Sequence, residues 1–140
     1  MNAFGNNYYI SYDPLNWHQA RGACRRQWRG QGRLVTINSM RENNWLAHHV
    51  RGKNTWIGGN DIRREGRWLW DNGCPVRFTR WNHREPNNWH NEDCAHFVTR
   101  PFGRWNDIRC TNRFIYICER KRSRCSKLRA RLPSLYDTNV

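Results

Sequence analysis

The sequence predicts an α+β fold in a single domain, and three observations support this prediction. Two segments in the first 50 residues carry apolar side chains at helical spacing, and short strand-like runs precede, separate and follow them. A long region after residue 71 has few regular signals, and further strand-like runs come after it. Helices and strands that are grouped in this way are typical of the α+β class.

The first predicted elements are a short strand and a helix. Residues 8–11 (Tyr-Tyr-Ile-Ser) have the composition of a strand, and the Asp-Pro pair at 13–14 predicts a turn. The segment 16–28 is predicted to be helical because apolar side chains fall on one of its faces: Trp17, Ala20 and Cys24. Glycines at 30 and 32 predict the end of this helix.

A second strand and a second helix follow. Residues 34–37 (Leu-Val-Thr-Ile) predict the strand. Ser39 is a preferred N-cap residue, and Glu42, three residues later, completes the sequence pattern of a capping box. The helix that begins there places apolar side chains on one side: Trp45, Leu46 and either His49 or Val50.

The remaining predicted elements are strands. Runs with strand composition lie at residues 55–57, 67–70, 94–99 and 113–118. An Asp-Asn-Gly turn at 71–73 ends the second of these runs. The predicted fold therefore has two helices near its start and several short strands, with a long loop between them.

The composition predicts a small secreted domain stabilised by disulfides. Leu, Ile, Val and Phe make up only 24 of 140 residues and the net charge is +14, a combination that usually indicates disorder. Nine Trp and five Tyr supply buried area instead, and six Cys supply cross-links. No stretch is long enough to span a membrane, and the first residues lack the apolar run of a signal peptide. We therefore expect a secreted chain whose signal has been removed.

The few acids of this basic chain are concentrated in one region. The chain has 25 Lys and Arg but only 11 Asp and Glu. Between residues 85 and 110, carboxylate and amide side chains recur at short intervals: Glu85, Asn87, Asn88, Asn91, Glu92, Asp93, Asn106 and Asp107. Oxygen ligands without a thiolate or imidazole pattern suit a hard cation such as Ca²⁺. The sequence therefore predicts a calcium site, and the alternative is an ordinary polar surface loop.

Several motifs along the chain resemble those of the C-type lectin family. In order, they are Trp-Ile-Gly at 56–58, Trp-Leu-Trp at 68–70, Glu-Pro-Asn at 85–87, Glu-Asp-Cys at 92–94, Trp-Asn-Asp at 105–107 and Tyr-Ile-Cys-Glu at 116–119. The resemblance implies a C-type lectin-like domain over residues 1–119, with two helices, two small antiparallel sheets and a long calcium-binding loop region. A basic tail over residues 120–140 is expected to lie outside this domain.

The resemblance also implies two disulfides, Cys24–Cys118 and Cys94–Cys110. Cys74 and Cys125 are left over, and they either pair with each other or bridge to another chain. A disulfide-linked oligomer, or a non-covalent one, therefore stays open at this point.

A primary calcium and sugar site is implied by the same motifs. Its ligands would be Glu85, Asn87, Glu92, Asn106 and Asp107. Ca²⁺ accepts up to eight oxygens, so two vicinal sugar hydroxyls can complete the shell and hydrogen-bond to the same side chains. The Glu-Pro-Asn triplet is similar to that of mannose-, fucose- and glucose-type binders, whereas Gln-Pro-Asp would imply galactose. In the family, the peptide bond before this proline is cis.

A second, structural Ca²⁺ is also implied. Its ligands would be Asp61, Glu65, Asn88, Glu92 and Asp93. The alternative is that the first two of these acids pair with neighbouring arginines: Arg63, Arg64 and Arg67. Trp89 and His90 lie inside the loop, where they either stack on a sugar face beyond the primary site or pack the loop itself.

We therefore expect a secreted, calcium-dependent lectin for mannose-type glycans. The alternative is a basic lectin-like structural, matrix, biomineral or host-defence protein that binds polyanions without calcium. Arginine binds sulfate, phosphate and carboxylate bidentately, so sulfated glycans are expected partners, whereas nucleic acid is not expected for a secreted chain. An enzyme is not expected, because the chain has no nucleophile-elbow, P-loop or dinucleotide motif. His83, His90 and His96 are candidate zinc ligands by residue type, but zinc is disfavoured because no His-x-x-x-His spacing occurs.

Overall fold

The computed structural model describes residues 1–87, 91–120 and 125. Its helices are α1 (Trp17–Arg25) and α2 (Met40–Val50), and a 3-10 helix covers Gln27–Gly30. Its strands are β1 (Asn2–Ala3), β2 (Asn6–Leu15), β3 (Gly32–Leu34), β4 (Thr55–Asn60), β5 (Cys94–Phe97), β6 (Trp105–Ile108) and β7 (Phe114–Arg120). The predicted α+β class is confirmed. Of the expected tail, only Arg120 and Cys125 belong to the described residues, so its placement outside the domain stays a prediction.

The strands form one mixed sheet in the order β1-β2-β7-β4-β5-β6, and β3 pairs with β7 beside this path. β4 runs parallel to β7, with Thr55 opposite Ile115, and the other neighbouring strands are antiparallel. The sheet therefore differs from the expected pair of small antiparallel sheets. The reason is that the β4–β7 pairing joins the N-terminal strands to the β5–β6 hairpin.

Helix α1 begins as its sequence predicts but ends earlier. The side chain of Asn16 accepts a hydrogen bond from the backbone N–H of Gln19, whose own side chain accepts from the N–H of Asn16. The predicted apolar face is buried: Trp17, Ala20 and Cys24. The α-helix ends at Arg25 rather than continuing to Trp28, because Trp28 and Arg29 adopt positive φ angles of 50° and 57° within the 3-10 segment.

Helix α2 is capped by Ser39, whose hydroxyl accepts a hydrogen bond from the backbone N–H of Glu42 at 3.1 Å. The predicted capping box is wrong in its second half. The Glu42 carboxylate accepts from the backbone N–H of Asn38 at 2.8 Å and from the Tyr8 hydroxyl at 2.5 Å. The Glu42 carboxylate therefore connects the start of α2 to Asn38, the residue before the N-cap, and to Tyr8 in β2.

One predicted turn and two predicted strands differ from the structure. The predicted turn at 13–14 lies inside β2, where the register with β7 shifts between Ser11 and Leu15. The second predicted strand lies at 34–37, whereas β3 ends at Leu34. The run at 67–70 is no strand; Leu69 makes isolated bridges with Asn60 and Pro75. Beyond Leu34, Val35 still donates to the carbonyl of Ile117, and Leu69 forms only isolated bridges, so neither 35–37 nor 67–70 is a strand.

Aromatic side chains and disulfides hold the core together. The largest fully buried side chains include Trp17 and Trp56, which belong to one buried cluster, and Trp105, which belongs to another. The disulfides are Cys24–Cys118, Cys94–Cys110 and Cys74–Cys125. Both implied pairings are present, and the last pair forms within the chain rather than to another one, so no cysteine is free. Among the described residues, no helix combines the length and apolarity that crossing a bilayer requires.

Candidate functional site

Three carboxylates converge where the loop after β4 meets the start of β5. One oxygen from each of Asp61, Glu65 and Asp93 lies within 4.8 Å of the others. The backbone places them: the N–H of Asp61 donates to the carbonyl of Asp93 at 3.1 Å, and the N–H of Gly66 donates to Asp61 Oδ2 at 2.8 Å. The structure thus brings together three of the five predicted ligands of the second calcium, whereas Asn88 lies outside the described residues.

The charges of this cluster are not compensated by the protein. Burial, together with the neighbouring side chains of Glu65 and Asp93, raises the pKa of Asp61 to about 8. Burial also raises the pKa of Asp93, with a contribution from the charge of Glu65. Asp61 Oδ1 and Asp93 Oδ1 are buried and have no hydrogen-bond partner. A set of crowded carboxylates with unpaired oxygens fits a hard cation better than it fits an arginine pair.

A second group of oxygens lies where β6 meets the turn that carries Glu85. Asp107 is fully buried on β6, and its Oδ1 accepts a hydrogen bond from the backbone N–H of Asn87 at 3.0 Å. The turn is fixed to β6 by the N–H of Asn82, which donates to the carbonyl of Trp105 at 2.7 Å. The peptide bond between Glu85 and its following proline is cis, as the family resemblance implies.

Glu85 shows the same lack of compensation. Burial, together with a hydrogen bond to Asp107 and the charges of Asp107 and Glu92, raises its pKa to about 7. Glu85 Oε1 and Asn106 Oδ1 are buried without a hydrogen-bond partner. All five predicted primary ligands are among the described residues. Four of them are linked by these contacts: Glu85, Asn87, Glu92 and Asp107.

The two groups differ in compactness. Within residues 1–87 and 91–120, the three acidic or imidazole side chains whose ligand atoms lie within 4.8 Å of one another are Asp61, Glu65 and Asp93, here called the Asp61 group. The carboxylates of Glu85, Glu92 and Asp107 are spread more widely, and amide side chains lie beside them in the sequence. Trp89 and His90, the predicted additional sugar contacts, lie outside the described residues.

His96 contacts the predicted ligand Asn106, a role that the sequence did not predict, since it offered His96 only as a disfavoured zinc ligand. It lies opposite Asn106 in the β5–β6 hairpin, and Nε2 of its ring accepts a hydrogen bond from Asn106 Nδ2 at 3.2 Å. Burial lowers the pKa of His96 to about 4, so the ring is neutral and its other nitrogen donates to the carbonyl of Phe97 at 2.9 Å. This hydrogen bond directs the amide nitrogen of Asn106 towards His96, and Asn106 Oδ1 is left available as a ligand. Its signal in the sequence is its position on a strand adjoining the Trp-Asn-Asp motif.

Comparison with known proteins identifies relatives across most of the chain. The family description "Lectin C-type domain" matches residues 13–120. The hepatic lectin of Gallus gallus is 39% identical over 83% of this chain and 55% of its own length. C-type lectin domain family 17, member A of Homo sapiens is 41% identical over 84% of this chain and 30% of its own length. The chain thus spans about half or less of these two relatives.

Solved structures of carbohydrate-recognition domains also superpose on most of this chain. The mouse scavenger receptor C-type lectin carbohydrate-recognition domain superposes with a TM-score of 0.79 at 34% identity, covering 89% of this chain and 94% of that one. The cow CD23 carbohydrate-recognition domain, crystallised in the presence of a GlcNAc2Man3 oligosaccharide, superposes with a TM-score of 0.75 at 28% identity, covering 89% and 98%. Both are carbohydrate-recognition domains.

Proposed function

The chain belongs to the C-type lectin domain family, and from this premise we propose that it is a calcium-dependent carbohydrate-binding domain for mannose-type sugars. Its relatives are C-type lectins, and it is a binding protein rather than an enzyme. Three disulfides would persist only in an oxidising compartment, which supports an extracellular location.

One observation carries the calcium proposal. Four buried carboxylate or amide oxygens of the described residues have no hydrogen-bond partner, and all belong to residues that the family resemblance assigns to calcium: Glu85, Asn106, Asp61 and Asp93. Burying such an oxygen without a partner costs about 1–3 kcal/mol, and more when it is charged. A bound dication gives each oxygen a partner and compensates the crowded negative charge.

The chain's own residues would hold and read the sugar. Bound calcium would supply a positive centre with coordination positions left for two adjacent hydroxyls. The Glu85 carboxylate would accept a hydrogen bond from one hydroxyl, and the Asn87 amide would donate one to another. His96 and the backbone of Asn87 would keep Asn106 and Asp107 in place through the hydrogen bonds described above.

The preference for mannose-type hydroxyl pairs rests on the Glu85–Asn87 triplet. The oligosaccharide present with the cow CD23 domain contains mannose, which supports the same preference here. The test is retention on mannose-agarose in millimolar calcium, with elution by EDTA. We expect Glu85→Gln with Asn87→Asp to shift retention from mannose-agarose to galactose-agarose. A double variant that still prefers mannose would show that this pair does not set specificity.

A second, structural calcium is proposed for the Asp61 group. Glu65 and Asp93 would contribute carboxylates, and Glu92 would be shared with the primary site. We expect calorimetric titration with calcium to resolve two events in the wild-type chain and one event in Asp61→Asn. A single event in both proteins would leave only the primary ion.

A second candidate function is affinity for polyanions. It is favoured because nearly all acids of the described residues lie in the two oxygen groups, in the core or in one ion-paired cluster, as follows. Of the ten acids in the described residues, six lie in the two calcium groups and two, Glu42 and Glu119, are buried in the core. Asp71 ion-pairs with Arg21 and Arg25, and Asp13 is the remaining one. Most arginines of the described surface therefore have no acid available. Retention on heparin that is lost near 0.5 M salt, and is unaffected by EDTA, would support this function.

A further inference from the structure

A cationic cleft lies at the C-terminal end of α2, on residues that neither calcium group uses. One wall comes from the end of this helix and the other from the turn between β5 and β6. The cleft has a volume of about 430 Å³ and is lined by His48, Arg51, Gly52, Thr99, Arg100 and Phe102. This volume is within the range of sites that hold small ligands.

The backbone at the helix end builds this cleft. Arg51 adopts a left-handed conformation with φ 41°, and its N–H donates to the carbonyl of Ala47 at 3.0 Å, which ends the helix. Gly52 also has a positive φ of 71°, and a Cβ there would lie 3.6 Å from the carbonyl of Thr99. The two walls therefore approach closely at this glycine. Arg51 Nη2 lies 3.5 Å from His48 Nε2, so the two side chains face the same cleft.

The charge around the cleft has one sign. Residues 43–60 and 95–106, which contain both walls, include no acid and carry four Lys or Arg: Arg51, Lys53, Arg100 and Arg104. The carbonyls at a helix C-terminus carry a partial negative charge. The guanidinium of Arg51, at the cap of α2, opposes that charge. An anion entering the cleft would thus meet Arg51 and Arg100 without meeting a carboxylate.

Phe102 gives the cleft an apolar surface as well. Its side chain is 47% exposed, although Phe is a residue that folding normally buries. An exposed aromatic ring beside two guanidinium groups can pack against the apolar face of a sugar ring while the guanidinium groups hold its anionic substituent. A bare inorganic anion would use the arginines but not the ring.

We propose that this cleft is a calcium-independent site for a sulfated saccharide, in which Arg51 and Arg100 bind a sulfate group and Phe102 packs against the sugar ring. The inference rests on the polyanion affinity proposed above and assigns it to one place in the fold. It does not depend on the calcium-dependent sugar site, because the two share no residue.

The test is isothermal titration of the full chain with a heparin-derived tetrasaccharide in EDTA. The cleft variant is Arg51→Gln with Arg100→Gln. The matched control is Arg26→Gln with Arg41→Gln, which removes the same charge from two exposed arginines outside the cleft. We expect the Kd of the cleft variant to rise at least about tenfold, because each arginine makes a charge-assisted contact, and that of the control to rise less than about threefold.

A second variant separates the saccharide from its sulfate. We expect Phe102→Ser to weaken binding of the tetrasaccharide about fivefold while leaving the affinity for inorganic sulfate unchanged. We also expect the desulfated tetrasaccharide to bind neither the wild-type chain nor any variant in EDTA. Equal losses of sulfate and saccharide binding in Phe102→Ser would show that the ring does not contact the sugar.

The outcomes distinguish the two proposals. If the wild-type chain does not bind the tetrasaccharide in EDTA, the polyanion affinity itself is absent. If it binds, but the cleft variant and the control lose affinity equally, the binding is spread over the charged surface and the cleft assignment is wrong. Circular dichroism spectra and urea midpoints equal to those of the wild type show that each variant is folded, whether or not the chain binds mannose.

Discussion

In the base of the domain, which comprises α1, α2, β2, β3, β7 and the turn that begins at Asp71, buried carboxylate and amide oxygens are paired with donors of the protein itself. Asp71 accepts from Arg21 at 2.7 Å and from the N–H of Leu34 at 3.0 Å, and Asn43 accepts from the Trp105 indole at 2.8 Å. In the loop end, which carries the two calcium groups, the same kinds of oxygen are buried without partners.

This difference shows which part of the fold is complete without a ligand. Folding alone compensates the buried charge of the base, because its donors are supplied by helices and strands that must form anyway. At the loop end four buried acceptors of the described residues lack a donor, and the calcium proposed above would give them a partner. Local opening of the loop end should therefore depend on calcium, whereas the hydrogen bonds of the base form without it.

The largest expected effect follows from removing one charge at the loop end. Asp107→Asn keeps the size of the side chain but removes a buried carboxylate next to Glu85. We expect the affinity for mannose in calcium to fall at least about a hundredfold, measured by calorimetry. Asp13→Asn, an exposed acid, is the control and should bind like the wild type. Unchanged binding by Asp107→Asn would remove this residue from the site.

The next effect is the response of stability to calcium. Because the ion would bind the folded chain only, calcium at about 100 times its Kd should raise the free energy of unfolding by about 2.7 kcal/mol. Urea unfolding with calcium and with EDTA measures this difference. The Asp61→Asn variant should gain less, since it has lost one of the convergent carboxylates. An identical urea midpoint in both buffers would contradict the contrast between base and loop end.

A smaller effect is expected in the base. The side chain of Asn43 is fully buried, donates to the carbonyl of Gly103 at 2.8 Å and accepts from the Trp105 indole. Asn43→Ala should lower the free energy of unfolding by about 2 kcal/mol, because both partners are left unpaired. The loss should be equal with calcium and with EDTA. The exposed neighbour variant Asn44→Ala is the control and should change stability little.

The smallest effect concerns pH. Burial and the charge of Glu42 raise the pKa of Glu119 to about 8, above its ordinary value of 4.5. The folded chain therefore binds the proton more tightly than the unfolded one, and stability falls as pH rises between these values. In saturating calcium, we expect a loss of about 1 kcal/mol from pH 6.5 to pH 7.5, a range above the ordinary pKa of His96. Glu119→Gln should flatten this slope, and an unchanged slope would assign the effect elsewhere.

Patterns that depend on local chemistry were predicted well from the sequence. The buried face of α1 and the N-cap of α2 follow from residues within one or two turns of each other. The motif residues Asp61, Asp93 and Asp107 were identified as site candidates because their order along the chain resembles a known family. The order of residues along the chain does not reveal which side-chain oxygens lack hydrogen-bond partners, and the structure shows this.

Features that depend on distant contacts were not predicted. Strand β6 contains Asn106 and Asp107, which are poor strand formers, and it forms because it pairs with β5. The orientation of Asn106 by His96 and the second bond of Glu42 to Tyr8 join residues of different elements. The cleft beside Arg51 arises because a helix end meets a hairpin turn, and neither segment alone predicts the other.

The Cys74–Cys125 bridge has a consequence for proteolysis. Arg120 ends β7, and the residues from there to Cys125 include several Lys and Arg, which are cleavage points for trypsin-like proteases. Since Cys125 is joined to Cys74, a cut between Arg120 and Cys125 leaves the C-terminal peptide attached to the domain. The nicked protein keeps its basic peptide, and the two pieces separate in electrophoresis only after a reducing agent is added.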